Sequence, residues 1–372
     1  MTFHPLLKEE TAFTLFDTDM STTAVWFFEG SAPVSFIQDR LKQISDITAS
    51  KLISVKQWDL DVNSAHPLVA RTVGSIPGVF VPSARACMNK QLPLFSVSVL
   101  TSKSHFALVV SLNHAIADGA TFYKIANMFS ESCMVESLAF ERLKLVVPDV
   151  STLEVTLSMR LSMVYTFISK VLQFAWQKVV LRQDCFPTCV RPIPATWIAS
   201  EKRKSQAEGA GKESFVSSND IVTSYLLRVT NCHYGAMAVN LRNRMPGIHS
   251  LLAGNYESVV LYMPPDFMKP QQIRASISHP SGVLKRMNLQ AKLPNPDRWL
   301  VKFGNVTNWA GLYGETDMRL RGSGKMVRHE PLPVVHEVPM PLSLFIVFAP
   351  RKGELAVLTN DEIVKKNTDF FA

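Results

Sequence analysis

The sequence predicts an α/β protein of two units, each a mixed β-sheet with flanking helices. Three observations lead there. The chain has 372 residues, more than the ~250–300 at which a single hydrophobic core stops growing, so two units are expected. Hydrophobic residues make up 47% and charged residues 19% of it, the balance of a folded globular chain rather than a disordered one. Strand-like runs and helical periodicities also alternate in both halves, without an internal repeat or a low-complexity segment.

The first half opens with apolar residues, after which Ser31-Ala32-Pro33 offers an N-cap and a proline for a first helical turn. Ile37, Leu41, Ile44 and Ile47 or Thr48 then recur at helical spacing as one buried stripe. Pro67, Gly74, Pro77, Gly78 and Pro82 are turn signals. Residues 95–100 and 106–112 read as strands, and the second is nearly continuous in apolar residues, as a strand covered on both faces should be. That strand runs into His114. Beyond Gly119, the residues Phe122, Ile125, Ala126 and Phe129 form the i, i+3, i+4, i+7 set of a helix.

Residues 155–181 are a long amphipathic stretch interrupted by Arg160, Lys170 and Lys178. Its uncharged runs fall short of the ~20 residues of a spanning helix. A crossover helix packed on the scaffold is the simpler expectation, and association with a membrane surface is the other. Residues 200–212 are charged, small and glycine-containing, and read as an exposed loop. In the second half, Ser217 and Asp220 form a capping pair ahead of a helix that buries Val222, Tyr225, Leu226 and Val229. Strands follow at 236–241, 258–262 and 344–348. The expected organisation is an N-terminal subdomain over 1–150, a crossover helix and exposed loop over 151–213, and a C-terminal subdomain over 214–372.

Composition removes several function classes. The formal net charge of +8 fits an anionic partner or a merely basic surface. No basic run is interleaved with aromatics, so no nucleic-acid partner is expected. The five cysteines, Cys87, Cys133, Cys185, Cys189 and Cys232, are odd in number and irregular in spacing. Reduced thiols in a cytoplasmic protein are the simpler account, and Cys185 and Cys189 lack the second pair or histidine cluster of a metal site. Residues 1–20 carry acids that fit neither a secretory signal nor a transit peptide. The stretch Gly322-Ser323-Gly324-Lys325 lacks the spacing of a phosphate-binding loop.

His114 stands apart from the other histidines by its context: the end of a buried strand, an aspartate four residues on, a glycine five on, then a helix. A rigid strand positions the side chain and the turn exposes it. Asp118 can fix the turn, and Gly119 permits a backbone geometry that a side chain would forbid. An imidazole with an unperturbed pKa near ~6.5 suits taking a proton from a hydroxyl and returning it to a leaving thiolate.

These residues resemble the HxxxDG motif of the plant and fungal BAHD acyltransferases, within the larger superfamily of chloramphenicol acetyltransferase-like proteins. Ser217-Ser218-Asn219-Asp220-Ile221 is similar to that family's helix start, and Asn240-Leu241-Arg242-Asn243-Arg244 to its (D/N)xRxR strand. Gly254-Asn255 resembles its Gly-Asn turn, and Val306-Thr307-Asn308-Trp309 its T-S-W segment. The segments stand in the family's order across nearly the whole chain. Two departures are visible. Scattered glycines and an aspartate between Gly314 and Lys325 replace the family's DFGWG segment, and Asn113 stands where condensation domains and wax-ester synthases carry a second histidine.

The resemblance implies two chloramphenicol acetyltransferase-like subdomains with an active-site channel between them. An acyl-CoA donor would enter one mouth and a small-molecule acceptor, a hydroxyl or an amine, the other. It makes His114 the general base and Thr307 or the Trp309 indole the donor to the oxyanion. Asp118 would pair with Arg242, or else with Arg244, as a strut beside Gly119. Ser217, Ser218 and Asn255 would lie near the donor, and the basic balance fits the phosphates of coenzyme A, with Arg242, Lys212 or Ser217 as their contacts. No metal and no permanently bound cofactor are implied, and the expected state is a monomer. The alternative is a catalytically inactive module on the same fold that binds a small molecule or an acyl carrier.

Overall fold

The computed structural model describes residues 21–44, 53–58, 63–90, 92–139, 188–208, 215–278, 301–313, 317–332 and 342–372, together with residue 284 and single positions between 141 and 176. The expectations for residues 1–20, for Cys185, Lys212, Gly314, Ile47 and Thr48 lie outside the described part.

The first sheet contains β1 (Ser21–Glu29), β2 (Ile53–Gln57), β3 (Phe95–Thr101), β4 (His105–Asn113) and β9 (Met326–Pro331), in the order β2-β3-β4-β1-β9. Only the β2–β3 pair is parallel. The central strands β1 and β4 pair along their whole length, from Ser21 opposite Asn113 to Glu29 opposite His105. Alternate side chains serve opposite faces. Ala24, Trp26, Phe28, Leu108 and Val110 pack against Ile37 and Leu41 of α1 (Val34–Ile44) and against Phe122 and Ala126 of α4 (Gly119–Asn127). Val25, Phe27, Ala107 and Val109 pack on the other face, against Val69 and Val73 of α2 (His66–Gly74). Helices on both faces are why β4 reads as an unbroken apolar run. A short helix, α3 (Ala84–Cys87), precedes β3.

The second sheet is larger. It contains β5 (Cys189–Ile193), β6 (Tyr234–Asn240), β7 (Glu257–Tyr262), β8 (Phe303–Asn308), β10 (Ser343–Phe348) and β11 (Leu355–Thr359), in the order β5-β11-β10-β8-β6-β7. One face, with Met237, Val239, Val260, Val306, Phe345 and Val347, is covered by α5 (Ala195–Glu208) and α6 (Ser218–Val229) through Trp197, Ile198, Val222 and Leu226. The helices α7 (Pro264–Phe267), α8 (Pro270–Ile277) and α9 (Glu362–Lys366) complete this unit. On the opposite face, Ile346 and Phe348 meet Trp309 and Tyr313, and those two rings also pack on the core of the first sheet.

Several expectations change. The sequence marks Ser31 as an N-cap, but the Pro33 carbonyl accepts the Ile37 amide at 3.1 Å and the helix begins two residues later than that cap implies. The exposed loop expected over 200–212 is helical as far as Glu208, because the Glu, Lys, Arg, Gln and Ala that make it look solvated are also strong helix formers. The strand β9 comes from the second half of the chain yet forms the edge of the first sheet, an exchange that the division into 1–150, 151–213 and 214–372 does not anticipate. Gly322-Ser323-Gly324-Lys325 is the turn into that strand. The amide of Gly324 donates to the Glu29 carbonyl at 3.0 Å, and a Cβ there would stand 2.6 Å from the same oxygen, so only glycine fits.

Candidate active site

His114 follows β4 directly and opens the turn that leads into α4. Asp118 is the N-cap of that helix, with extended backbone and a side chain that accepts the Thr121 amide at 2.9 Å. The glycine that follows is not in the left-handed region, so Gly119 does not supply an unusual backbone conformation, as the sequence suggests it should. It supplies room instead. A Cβ at Gly119 would lie 3.2 Å from Leu312 Cδ1 and 3.7 Å from the Trp309 indole nitrogen, groups that belong to the second half of the chain.

Beneath the turn is a buried knot centred on Arg242. Its Nη1 donates to Asp118 Oδ2 at 2.6 Å and to Asn240 Oδ1 at 3.2 Å. Its Nη2 donates to Thr121 Oγ1 at 2.8 Å and to the Gly254 carbonyl at 3.0 Å, and its Nε donates to the Leu252 carbonyl at 2.9 Å. All five guanidinium donors are therefore used. The guanidinium also lies 5.2 Å from the centre of the Tyr256 ring. Asp118 Oδ2 accepts the Tyr256 amide as well, at 2.9 Å. Gly254, at φ 140°, turns its carbonyl toward the Asp118 amide and the Thr121 hydroxyl as well as toward Arg242, a conformation that favours glycine. Arg244, the other candidate partner of Asp118, instead donates to the Ile277 carbonyl at 3.0 Å.

Two residues of the second half reach His114 itself. Asn255, expected near the donor, is buried and its Nδ2 donates to the main-chain carbonyl of His114 at 2.9 Å. Glu257, the first residue of β7, places Oε1 3.8 Å from His114 Nε2, with the two side chains 29% and 21% exposed. Burial raises the pKa of the Glu257 carboxyl, and the charge His114 can carry works against that rise. Sequence reasoning misses Glu257. The one available signal is a carboxylate two residues past the Gly-Asn turn, opening an otherwise uncharged strand.

The remaining predicted residues, Thr307, Trp309, Ser217 and Ser218, all belong to the second half of the chain. Thr307 lies half-buried on β8, one place beyond the inward-facing Val306. By alternation it shares the face of the second sheet opposite α6 with Val259 and Glu257. The indole of Trp309 packs beside Gly119 and edge-on to Tyr123 at 5.7 Å, while its main-chain amide donates to the Val347 carbonyl at 2.8 Å. Ser217 and Asp220 close a capping box at the start of α6, and Ser218 is the first residue of that helix. The next residue, Asn219, accepts from Asn308 Nδ2 at 2.9 Å, tying this helix start to the end of β8. Among the described residues no cluster of metal-ligating side chains is present.

No family model matches the chain, and no curated protein matches it in sequence. Solved structures match it in shape. F. sporotrichioides TRI101, crystallised with coenzyme A and T-2, superposes with a TM-score of 0.64 over 99% of this chain and 98% of its own, at 13% identity. F. graminearum TRI101, with coenzyme A and deoxynivalenol, gives 0.61 over the same shares, also at 13% identity. The first condensation domain of the CDA synthetase gives 0.57 over 99% of this chain and 95% of its own, at 11% identity. The fold is thus the two-subdomain chloramphenicol acetyltransferase-like one, spanning nearly the whole chain.

Proposed function

We propose that the protein is a BAHD-like acyltransferase that moves an acyl group from an acyl-CoA thioester to a hydroxyl or amine of a small-molecule acceptor. The observation that carries this reading is the setting of His114. A partly exposed imidazole stands on a turn that is held from below by a buried ion pair and from the side by Asn255, where elements of both halves converge. The fold it shares with TRI101, which was crystallised with coenzyme A together with T-2 or deoxynivalenol, supports the donor class.

In this mechanism His114 Nε2 takes the proton of the acceptor as its oxygen or nitrogen bonds to the thioester carbonyl carbon. The imidazolium that forms stands beside the Glu257 carboxylate, whose charge stabilises it. Collapse of the tetrahedral oxyanion breaks the carbon–sulfur bond, and the thiolate of coenzyme A recovers the proton. The hydroxyl of Thr307 is the proposed donor to the oxyanion, a contribution of about 3 kcal/mol in comparable sites. The Trp309 indole sits against Gly119 and is assigned to joining the halves. Ser217 and Ser218 are the proposed contacts of the donor, at the N-terminal end of α6, where an anionic group is favoured.

The test is release of free thiol from acetyl- through stearoyl-CoA in the presence of hydroxyl and amine acceptors. Acceptor-dependent release is expected, lower by ~10²–10⁴-fold in His114→Ala, with an unchanged circular dichroism spectrum. No release with any donor, together with no effect of His114→Ala, would favour a binding module on the same fold, whereas acceptor-dependent release that His114→Ala leaves unchanged would remove His114 from the role of general base.

A further inference from the structure

Glu257 is a residue that proton transfer by His114 does not by itself require. Its Oε1 stands 3.8 Å from His114 Nε2, beyond a hydrogen bond, so the imidazole does not satisfy it. Among the described residues no group donates a hydrogen bond to this carboxylate, although burial already disfavours its charge. The charges that act on it are those of His114, Asp118 and Arg242. Asp118 and Arg242 offset each other, paired at 2.6 Å. With His114 neutral, as a base must be, one negative charge beside the reacting nitrogen has no counter-charge. A carboxylate partly withdrawn from water is stabilised by whatever enters the site bearing hydrogen-bond donors or positive charge.

The donor has the wrong sign for this role, because the phosphates of coenzyme A are anions. That leaves the acceptor, whose hydrogens can be counted. Two oxygen or nitrogen atoms 3.8 Å apart can both be reached by one atom at ~2.9 Å from each. An attacking hydroxyl has a single hydrogen, which the base takes, and none for Glu257. An attacking primary amine has two hydrogens and a lone pair: one hydrogen for Nε2, one for Oε1, and the lone pair for the thioester carbon. Its ammonium form also brings the missing positive charge. We infer that Glu257 selects a primary amine, captured as its ammonium, as the acyl acceptor, an assignment that rests on the acyltransferase reading of His114. The ammonium loses one proton to water at the partly exposed edge of the pair, and the neutral amine attacks. The nitrogen–carbon bond forms as Nε2 takes a second proton. The carbon–sulfur bond then breaks, and the thiolate takes that proton from the imidazolium. The third hydrogen stays on the amide nitrogen, so ammonium and thioester yield amide, free thiol and one proton.

The test is calorimetric binding to the full-length protein, with and without coenzyme A. The probes are hexylamine, hexanol and a vicinal hexanediol, with phenethylamine and phenethyl alcohol as a second skeleton. Wild type is expected to bind each amine about tenfold or more tightly than its alcohol, the scale of one charge-assisted hydrogen bond. Glu257→Gln keeps the shape and removes the charge, and is expected to lower the amine-to-alcohol ratio by about tenfold. Glu257→Asp is expected to restore part of it. In thiol release, hexylamine is expected to outpace N-methylhexylamine, which has one hydrogen when neutral. Equal wild-type affinity for amine and alcohol overturns the inference, as does a diol that binds as tightly as the amine. So does a folded Glu257→Gln variant that keeps the preference, and equal release from the N-methyl probe removes the restriction to primary amines. The broader reading is judged separately. Thiol release with alcohols but not amines retains the acyltransferase and overturns the amine assignment. Amine binding through Glu257 with no release from any donor leaves an ammonium site and overturns the transferase.

Discussion

Asp118 stands four residues after the proposed general base, and spacing alone would make it the group that orients the imidazole. Its oxygens are otherwise engaged: the Thr121 amide on Oδ1, and the Tyr256 amide and Arg242 on Oδ2. Arg242 and Asp118 are both almost fully buried, a setting in which removing one charge leaves the other without compensation. Asp118→Asn retains a side chain that caps helices as well as aspartate does, so the variant isolates the ion pair. We expect it to lose about 3–5 kcal/mol in urea unfolding, while thiol release per folded molecule changes little. An unchanged unfolding midpoint with lower turnover would return Asp118 to the catalytic group. Glu257 makes the complementary point. It cannot be read from spacing, because what makes it notable is His114, which the fold brings to it from 143 positions earlier in the chain.

At the level of elements, legibility follows how a strand is covered. The run β4–His114–α4 can be read because helices on both faces demand unbroken apolar residues in the strand, and α4 shows its stripe. The opposite case is β9. Its Arg328, His329 and Glu330 look like surface residues, yet His329 and Glu330 are buried by partners distant in sequence. The ring of His329 lies 4.9 Å from that of Trp26. Its Nε2 meets the Tyr123 hydroxyl at 3.1 Å and its Nδ1 the Ala349 carbonyl at 3.3 Å, which assigns the proton to Nδ1. Burial pushes the imidazole pKa down to about 3, against a smaller opposing effect of the Ala349 carbonyl. In the unfolded chain the same group titrates near ~6.5. Above that pH its contribution is complete. Below it the unfolded chain binds a proton that the folded one refuses, so stability falls with pH down to about 3, by up to ~1.4 kcal/mol per pH unit. His329→Asn keeps a donor at the Nδ1 position and cannot titrate. Urea midpoints measured as the pH is lowered below the ~6.5 of a free imidazole should therefore fall more steeply for wild type than for the variant. Parallel slopes would show that water reaches the ring.

For the whole molecule the question is whether two sheets mean two independent bodies. A chain of this length ordinarily divides, and divided chains unfold in steps. Four connections oppose that here. The strand β9 is made by the second half and completes the first sheet. Arg242, past the end of β6, holds the cap of α4. Asn255 holds the peptide of His114. Trp309 and Tyr313 pack into the cores of both units. Opening either unit strands a buried charge or strips an edge from the other, so the partly unfolded states that independent bodies would populate are costly. We expect one cooperative transition in urea, with tryptophan fluorescence and far-ultraviolet circular dichroism tracing the same curve. Fluorescence samples both units, since Trp26 and Trp58 lie in the cores of the first and Trp197 in that of the second. Arg242→Met removes one connection and should let the two curves separate, because the link it breaks is a buried ion pair between the units. Non-coincident curves in the wild type would show that the units open separately, and that the turn carrying His114 can loosen while the second sheet stays folded.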